Sequence, residues 1–117
     1  MHLYKLDIDL DYTHQDSTGE LESWIHHLEG IKKELKTFCT KKKYSKHALI
    51  KKAVLLKAST NNSILKTLRN YKEFREFWNT CDAAQSGMAF IREHNKHKSD
   101  YLKHINEYKS FKSKLTV

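Results

Sequence analysis

Five side chains near the end of the chain have the residue types of a metal site. Glu93, His97, Asp100, His104 and Glu107 recur at intervals of four, three, four and three. If residues 93 to 107 form one helix, all five lie along one stripe of it. Imidazole and carboxylate groups suit zinc or iron, but a closed site needs ligands from a second helix. Acid–histidine pairs on a polar helix face explain the spacing better than a metal site does, so we expect no metal and no cofactor.

A second pattern in the same region consists of Arg92, four residues and then His97. It matches the Arg-x4-His pattern of HEPN-type ribonucleases, which are small helical bundles. The resemblance implies that Arg92 stabilises the phosphorane and that His97 acts as general base or acid. The pattern is short, the chain has eight histidines, and no family is assigned from it. Without a Ser-His-Asp, Cys-His or Walker pattern, we favour a protein that is not an enzyme and keep a HEPN-like ribonuclease as the third hypothesis.

The largest chemical signal is a basic block with no acidic residue between Leu35 and Lys72. A positive surface of this kind attracts polyanions, and lysine contacts phosphate as a point charge without reading a base. Tyr44 has the ring that could stack on an unpaired base. Part of the charge has a second explanation in AT-rich coding, because the chain has 19 lysines, three arginines and no proline. The predicted nucleic-acid-binding residues are Lys36, Lys41, Lys42, Lys43, Tyr44, Lys46, Lys51, Lys52, Lys57, Lys66, Arg69 and Lys72.

The N-terminal region is acidic and alternates strictly between apolar and polar residues from Tyr4 to Tyr12. A period of two over nine residues predicts a β-strand or extended arm with one buried face. Because no second strand is evident, we expect Leu6, Ile8 and Leu10 to contact a partner, either a second copy or another protein. On the polar face, Asp7, Asp9 and Asp11 could bind a divalent cation, line the wet face of the strand, or lie across the basic block.

The rest of the chain has helical periodicity. Residues 17–20 fit a capping box, and the first helix should run from there to about Thr40. Its inward-facing residues should be Leu21, Trp24, Ile25, Leu28, Ile31, Leu35 and Phe38. Ser45 can cap a second helix, and Ser59–Ser63 is the predicted interior break. Residues 95–99 either separate the last two helices or lie within a single one. The fold is therefore expected to be mainly α, a compact bundle of four to five helices behind the strand. Inward-facing residues after the first helix should include Leu49, Ile50, Ala53, Val54, Leu56, Ile64, Leu65, Leu68, Tyr71, Phe74, Trp78, Ala84, Met88, Ile91, Tyr101, Leu102, Ile105, Tyr108 and Leu115.

Composition limits the class of protein. At 117 residues we expect a single domain, with residues 1–16 as an arm and 17–117 as the bundle. No apolar run approaches a membrane span or a signal peptide, so no membrane partner is expected. Cys39 and Cys81 make no disulfide framework, which favours reduced, buried thiols and a cytoplasmic location.

Two functional hypotheses lead from these features. The first is a small basic accessory protein that binds an RNA or DNA backbone within a larger complex. The alternative is a protein-binding adaptor or inhibitor that uses the N-terminal strand and a charged surface, with an acidic protein surface as partner. Both imply a homodimer or a hetero-complex.

Overall fold

The chain forms three long α-helices: α1 (His14–Thr40), α2 (Ala48–Trp78) and α3 (Met88–Leu115). The computed structural model describes residues 14–41, 44, 46–78 and 88–115, and within these ranges it has no strand. The mainly α class is confirmed, but four to five helices was wrong for this part of the chain. The predicted strand with Leu6, Ile8 and Leu10, and the row Asp7, Asp9 and Asp11, lie outside the described residues.

The helix α1 ends at Thr40 as predicted, but it begins at His14, before the predicted capping box. Ser17 and Glu20 therefore lie inside the helix and face its neighbours. The Ser17 hydroxyl accepts a hydrogen bond from Arg75 of α2 at 2.6 Å, and the Glu20 carboxylate contacts His94 of α3 at 2.9 Å. These residue types stabilise contacts between helices here instead of starting a helix.

The predicted break at Ser59–Ser63 is absent, because α2 continues through it for 31 residues. The polar side chains there do not disrupt the helix. Thr60 donates its hydroxyl proton to the Leu56 carbonyl at 3.1 Å, which satisfies it locally. The Asn61 amide, fully buried, donates from Nδ2 to the Leu28 carbonyl of α1 at 2.9 Å. A tertiary contact therefore holds the residue that was expected to end the helix.

Of the two alternatives for residues 95–99, the single helix is confirmed, because α3 continues through them for 28 residues in all. Its buried positions run across that region without a change of phase, at His94, His97, Tyr101, His104 and Tyr108. One continuous stripe faces the other helices, so the packing favours one helix over two.

Contacts between side chains fix the directions of the helices. Lys72 of α2 pairs with Glu22 of α1 at 3.5 Å, and Arg75 reaches Ser17, so α1 and α2 are antiparallel. The Glu20 carboxylate contacts Lys98 at 3.1 Å and Glu34 contacts Lys112 at 3.0 Å, so α3 runs parallel to α1. The C-terminal halves of α1 and α3 therefore lie beside the start of α2.

The core lies along the line where the three helices meet. Every predicted apolar position of α1 from Leu21 to Phe38 is buried or partly buried. Four residues that were predicted to face inward are exposed instead. Leu49, Leu56, Phe74 and Leu102 are 83, 61, 50 and 48 % exposed. Leu49, Leu56 and Phe74 lie on the side of α2 that faces away from the core. The buried apolar residues are Leu21, Trp24, Leu28, Ile31, Leu35, Phe38, Tyr44, Val54, Leu65, Leu68, Tyr71, Tyr101, Ile105 and Tyr108.

Asn61 links all three helices through one amide. Its Nδ2 donates to Leu28 of α1, so its Oδ1 is left to accept from His104 Nε2 of α3 at 2.8 Å. Both Asn61 and His104 are at most 1 % exposed. Because these groups are out of reach of solvent, each depends on the others for its hydrogen bonds.

We predict that Asn61→Ala lowers the free energy of unfolding by about 2–4 kcal/mol, since it leaves the buried His104 Nε2 without an acceptor, removes the side-chain hydrogen bond to the Leu28 carbonyl and opens a cavity. The measurement is denaturant unfolding followed by circular dichroism. The matched control is Asn62→Ala, because Asn62 is exposed and should change the stability by less than about 0.5 kcal/mol. Equal effects of the two variants would contradict the role given to Asn61.

Candidate nucleic-acid interface

Lysines from all three helices meet at one end of the bundle. This basic pole comprises the described residues of 31–57 and 103–115, and it contains twelve lysines and two glutamates. The antiparallel turn between α1 and α2 and the parallel course of α3 bring them together. The lysines are Lys32, Lys33, Lys36, Lys41, Lys46, Lys51, Lys52, Lys57, Lys103, Lys109, Lys112 and Lys114.

The opposite end of the bundle is electrically balanced. Residues 17–30, 58–77 and 91–102 carry seven basic and seven acidic side chains. The positive charge of the described chain is therefore concentrated at one pole, where the field is strongest and most able to attract an anion.

One of the two glutamates at the pole, Glu34, already forms hydrogen bonds within the bundle. The Glu34 carboxylate accepts a hydrogen bond from the Tyr108 hydroxyl at 2.5 Å and another from Lys112 at 3.0 Å. Burial alone would raise the pKa of Glu34, but these hydrogen bonds hold it below its usual value of 4.5. Burial and the same carboxylate raise the pKa of Tyr108. Glu34 therefore stays ionised and holds α1 to α3, while Glu107 is exposed.

The aromatic residue proposed for base stacking is part of the core. Tyr44 is 6 % exposed and lies edge-on to Phe38, with ring centroids 5.6 Å apart. Its backbone amide donates to the Lys41 carbonyl at 3.1 Å, and its own carbonyl accepts from the His47 amide. The ring closes the bundle beneath the link between α1 and α2, so its face is not available to a base in this arrangement.

Six of the predicted basic residues lie at the pole: Lys36, Lys41, Lys46, Lys51, Lys52 and Lys57. Five are exposed, and Lys57 is partly buried, 5.8 Å from the centroid of the Phe111 ring. Lys42 and Lys43 belong to the same link in the sequence but lie outside the described residues.

The other three predicted residues do not belong to the pole. Arg69 donates to Glu29 at 2.6 Å, Lys72 pairs with Glu22, and Lys66 is exposed on the outer side of α2. The Arg69 hydrogen bond is the main reason why the pKa of Glu29 lies below 4.5. Arg69 and Lys72 join α2 to the acidic face of α1, a role that the charge pattern alone did not reveal.

Sequence reasoning missed the lysines that other elements supply. Lys32 and Lys33 precede the acid-free block, and Lys103, Lys109, Lys112 and Lys114 lie far from it in sequence. A signal was present, because residues 108–117 contain lysines and no acid. This signal identifies the α3 lysines as part of the pole only once the end of α3 is known to lie beside the start of α2.

The stripe proposed as a metal site faces a groove between α2 and α3. His97, Asp100, His104 and Glu107 line it, but no group of three His, Cys, Asp or Glu in the described chain is placed to hold a metal. His97 instead bonds to Glu93 at 3.0 Å and stacks on Tyr71, with centroids 4.2 Å apart. The stripe mainly packs α3 against α2.

Arg92 and His97 are not brought together within the chain. Five residues apart on a helix, they are separated by about 140° around its axis. His97 faces Tyr71, whereas Arg92 is exposed. Arg92 and His97 of one chain therefore do not form the pair that the HEPN-type pattern implies.

The strongest polar cluster lies at the opposite end from the pole. Arg75 donates to Ser17 and to Thr18 at 2.6 and 3.0 Å, and it lies 5.7 Å from the centroid of the Tyr71 ring. The ring nitrogens of His94 contact Arg75 and Tyr71 through Nδ1 and Glu20 through Nε2. Donors at Nδ1 and an acceptor at Nε2 indicate a neutral imidazole protonated on Nε2.

Comparison with known proteins found no matching family model, no matching curated protein and no matching solved structure. The functional argument therefore rests on the residues and their placement.

Cys39 is a free thiol packed against the core, while Cys81 lies outside the described chain. None of the described helices has the length and apolar character needed to cross a membrane.

We predict that the protein loses stability as the pH falls below about 6.5. Burial lowers the pKa of His94 and of His104 from the ordinary value of 6.5, so the unfolded chain takes up protons first. The stability is fully present above 6.5 and declines down to the folded-state pKa values. Denaturant midpoints from pH 7.5 to 5 measure the slope.

The variant His104→Gln keeps a donor for Asn61 but removes one titrating group. It should show a smaller loss of stability across the same pH range. A slope identical to that of the unmodified protein would contradict the assignment of His104 as a buried neutral histidine.

Proposed function

We propose that the basic pole binds the phosphate backbone of a nucleic acid, and that the protein serves as an accessory subunit of a larger complex. The observation that carries this proposal is the convergence of twelve lysines and two glutamates from three helices onto one end of the bundle. A cluster of this size raises the local concentration of a polyanion and releases its counterions on binding.

The internal needs of the helices do not account for these charges. Lysines at the C-terminal ends of α1 and α3 are favourable, because the helix dipole is negative there. The start of α2 is different, since positive charge opposes the dipole at an N-terminus. Lys46, Lys51 and Lys52 lie there all the same, and the first turn of α2 has no acid. Among the described residues no acid compensates this charge in the first turn of α2, and an external anion would do so.

The proposed mode of binding is tolerant of sequence. Lysine side chains contact phosphate, which is common to RNA and DNA, and they do not discriminate bases. The buried Tyr44 ring adds no stacking. We therefore expect similar affinity for unrelated sequences and a steep decrease of affinity with salt.

We predict that the triple variant Lys36→Gln, Lys46→Gln, Lys109→Gln weakens binding at least about tenfold near physiological salt, since each lost phosphate contact removes roughly one unit of salt slope. The three side chains are exposed and come from α1, the link and α3. Fluorescence anisotropy with labelled single-stranded RNA and duplex DNA, each in two unrelated sequences, measures the affinity at two salt concentrations.

The matched control is Lys66→Gln, Arg92→Gln, Lys96→Gln, which removes the same charge from exposed residues away from the pole. It should bind nearly as well as the unmodified protein. Equal weakening by both variants would show a response to net charge without a defined pole. No binding at low salt by folded protein would eliminate the proposal, as would capture from a lysate of the same protein partner with and without nuclease.

A further inference from the structure

The helix α3 meets the antiparallel hairpin of α1 and α2 mainly through histidine and tyrosine side chains. Between Ile91 and Leu115, the buried residues of α3 are His94, His97, Tyr101, His104, Ile105 and Tyr108. Ile105 is the one aliphatic side chain among them. The described part of the hairpin, in contrast, buries seven leucine, isoleucine and valine side chains. The attachment of α3 therefore depends on hydrogen bonds and ring contacts more than on aliphatic packing.

The rings of α3 have polar partners on the hairpin. The Tyr101 hydroxyl lies 2.6 Å from His27 Nδ1, and the Tyr108 hydroxyl donates to Glu34. The His104 ring donates from Nε2 to α2. A hydrogen bond depends on which atoms carry protons, whereas aliphatic packing does not. A change of protonation can therefore weaken the attachment of α3 and leave the contact between α1 and α2 in place.

His104 has no place for a second proton while α3 is attached. Its Nε2 donates to Asn61, and its buried Nδ1 has no hydrogen-bond partner among the described residues. A proton on Nδ1 would be a buried donor without an acceptor, which is costly. Burial is the main reason why the pKa of His104 lies below 6.5. Lys57 of α2 and His27 of α1 lower this pKa further, while Glu107 of α3 acts against them.

His94 faces charges of both signs. Its Nδ1 contacts Tyr71 at 3.0 Å and Arg75 at 3.3 Å, both on α2, and its Nε2 contacts Glu20 of α1 at 2.9 Å. Burial has the largest effect and lowers the pKa of His94 below 6.5. Glu20 acts against this shift, while Arg75 and Lys98 add to it. A second buried ring of α3 is therefore also neutral in the attached helix.

We propose that mild acidification releases α3 from the hairpin of α1 and α2 before the hairpin itself opens. A released α3 exposes His94 and His104 to water, where a second proton is easily solvated, so protonation favours release. The attachment is fully stable above pH 6.5 and weakens as the pH falls toward the pKa values of the attached helix. The hydrogen bond from Asn61 to Leu28 joins α2 to α1 without α3, and it persists after release.

Hydrogen exchange of the full-length protein, followed by mass spectrometry and corrected for the intrinsic rate at each pH, measures the release. From pH 7.5 to 5.5, the protection of residues 94–112 should fall at least about tenfold relative to residues 54–68, since each histidine contributes up to about tenfold over that range. His104→Gln, which keeps a donor for Asn61, should reduce this difference roughly threefold or more. His47→Gln is the matched control, because His47 is exposed and lies before α2.

A variant without any change of histidine tests whether α3 opens separately. Tyr108→Phe removes the hydrogen bond to Glu34 and should lower the protection of α3 at pH 7.5 at least about threefold, while that of α2 stays within about twofold. Equal loss of protection in α2 and α3 would show that the bundle opens as one unit, and it would overturn the proposal. Protection of α3 that does not change with pH would overturn it as well.

Release of α3 would also divide the basic pole, a consequence that rests on the function proposed above. Four of the twelve lysines lie on α3: Lys103, Lys109, Lys112 and Lys114. At pH 5.5, His104→Gln should therefore bind labelled RNA at least about twofold more tightly than the unmodified protein, although it has one basic group fewer. A response to charge alone would have the opposite sign.

The two measurements separate the release of α3 from the function of the pole. Failure of every variant to bind RNA would eliminate the proposed function, and hydrogen exchange would still decide whether α3 is released. Weaker binding by His104→Gln at pH 5.5, with release confirmed by hydrogen exchange, would overturn the effect on the pole alone.

Discussion

The hydrogen bonds of Asn61 fix the alignment on which the rest of the structure depends. One side chain bonds to Leu28 of α1 and to His104 of α3, so the three helices are held at one level. Apolar packing alone is weakly directional and tolerates sliding by a turn. Buried polar groups do not, because a shift leaves them without partners. The alignment determines which ends of the helices meet, and so the basic pole is a consequence of a contact in the middle of the bundle.

The periodicity of apolar residues predicted the structural features that depend on local sequence alone. The apolar spacing of α1 from Leu21 to Phe38 identified its buried face and its end near Thr40, because one stripe of a helix must face the core. The same reasoning failed at Leu49 and Phe74, since periodicity shows which residues share a face but not whether a neighbour covers it. It failed again at Ser17 and Asn61. Both are residue types that favour caps and turns in isolation, and here they bond to other helices.

The candidate site was predictable only in part for a similar reason. The acid-free block gave Lys36, Lys41, Lys46, Lys51 and Lys52, which do lie together. It also included Arg69 and Lys72, which pair with α1, and Tyr44, which lies in the core. Proximity in sequence predicts proximity in space only within one helix and the link that adjoins it. The lysines of α3 reach the pole through the tertiary fold, which no local pattern encodes.

The uneven charge has a consequence for the free protein in different salt conditions. The twelve lysines of the pole repel one another, because only two glutamates lie among them and one of these, Glu34, is already hydrogen-bonded. Screening ions reduce that repulsion. Added salt therefore favours the folded state of the isolated chain while it would oppose the proposed binding of a polyanion. Ionic strength therefore acts with opposite sign on folding and on the proposed association, so the same lysines make the unbound protein less stable at the low salt concentrations where that association would be strongest.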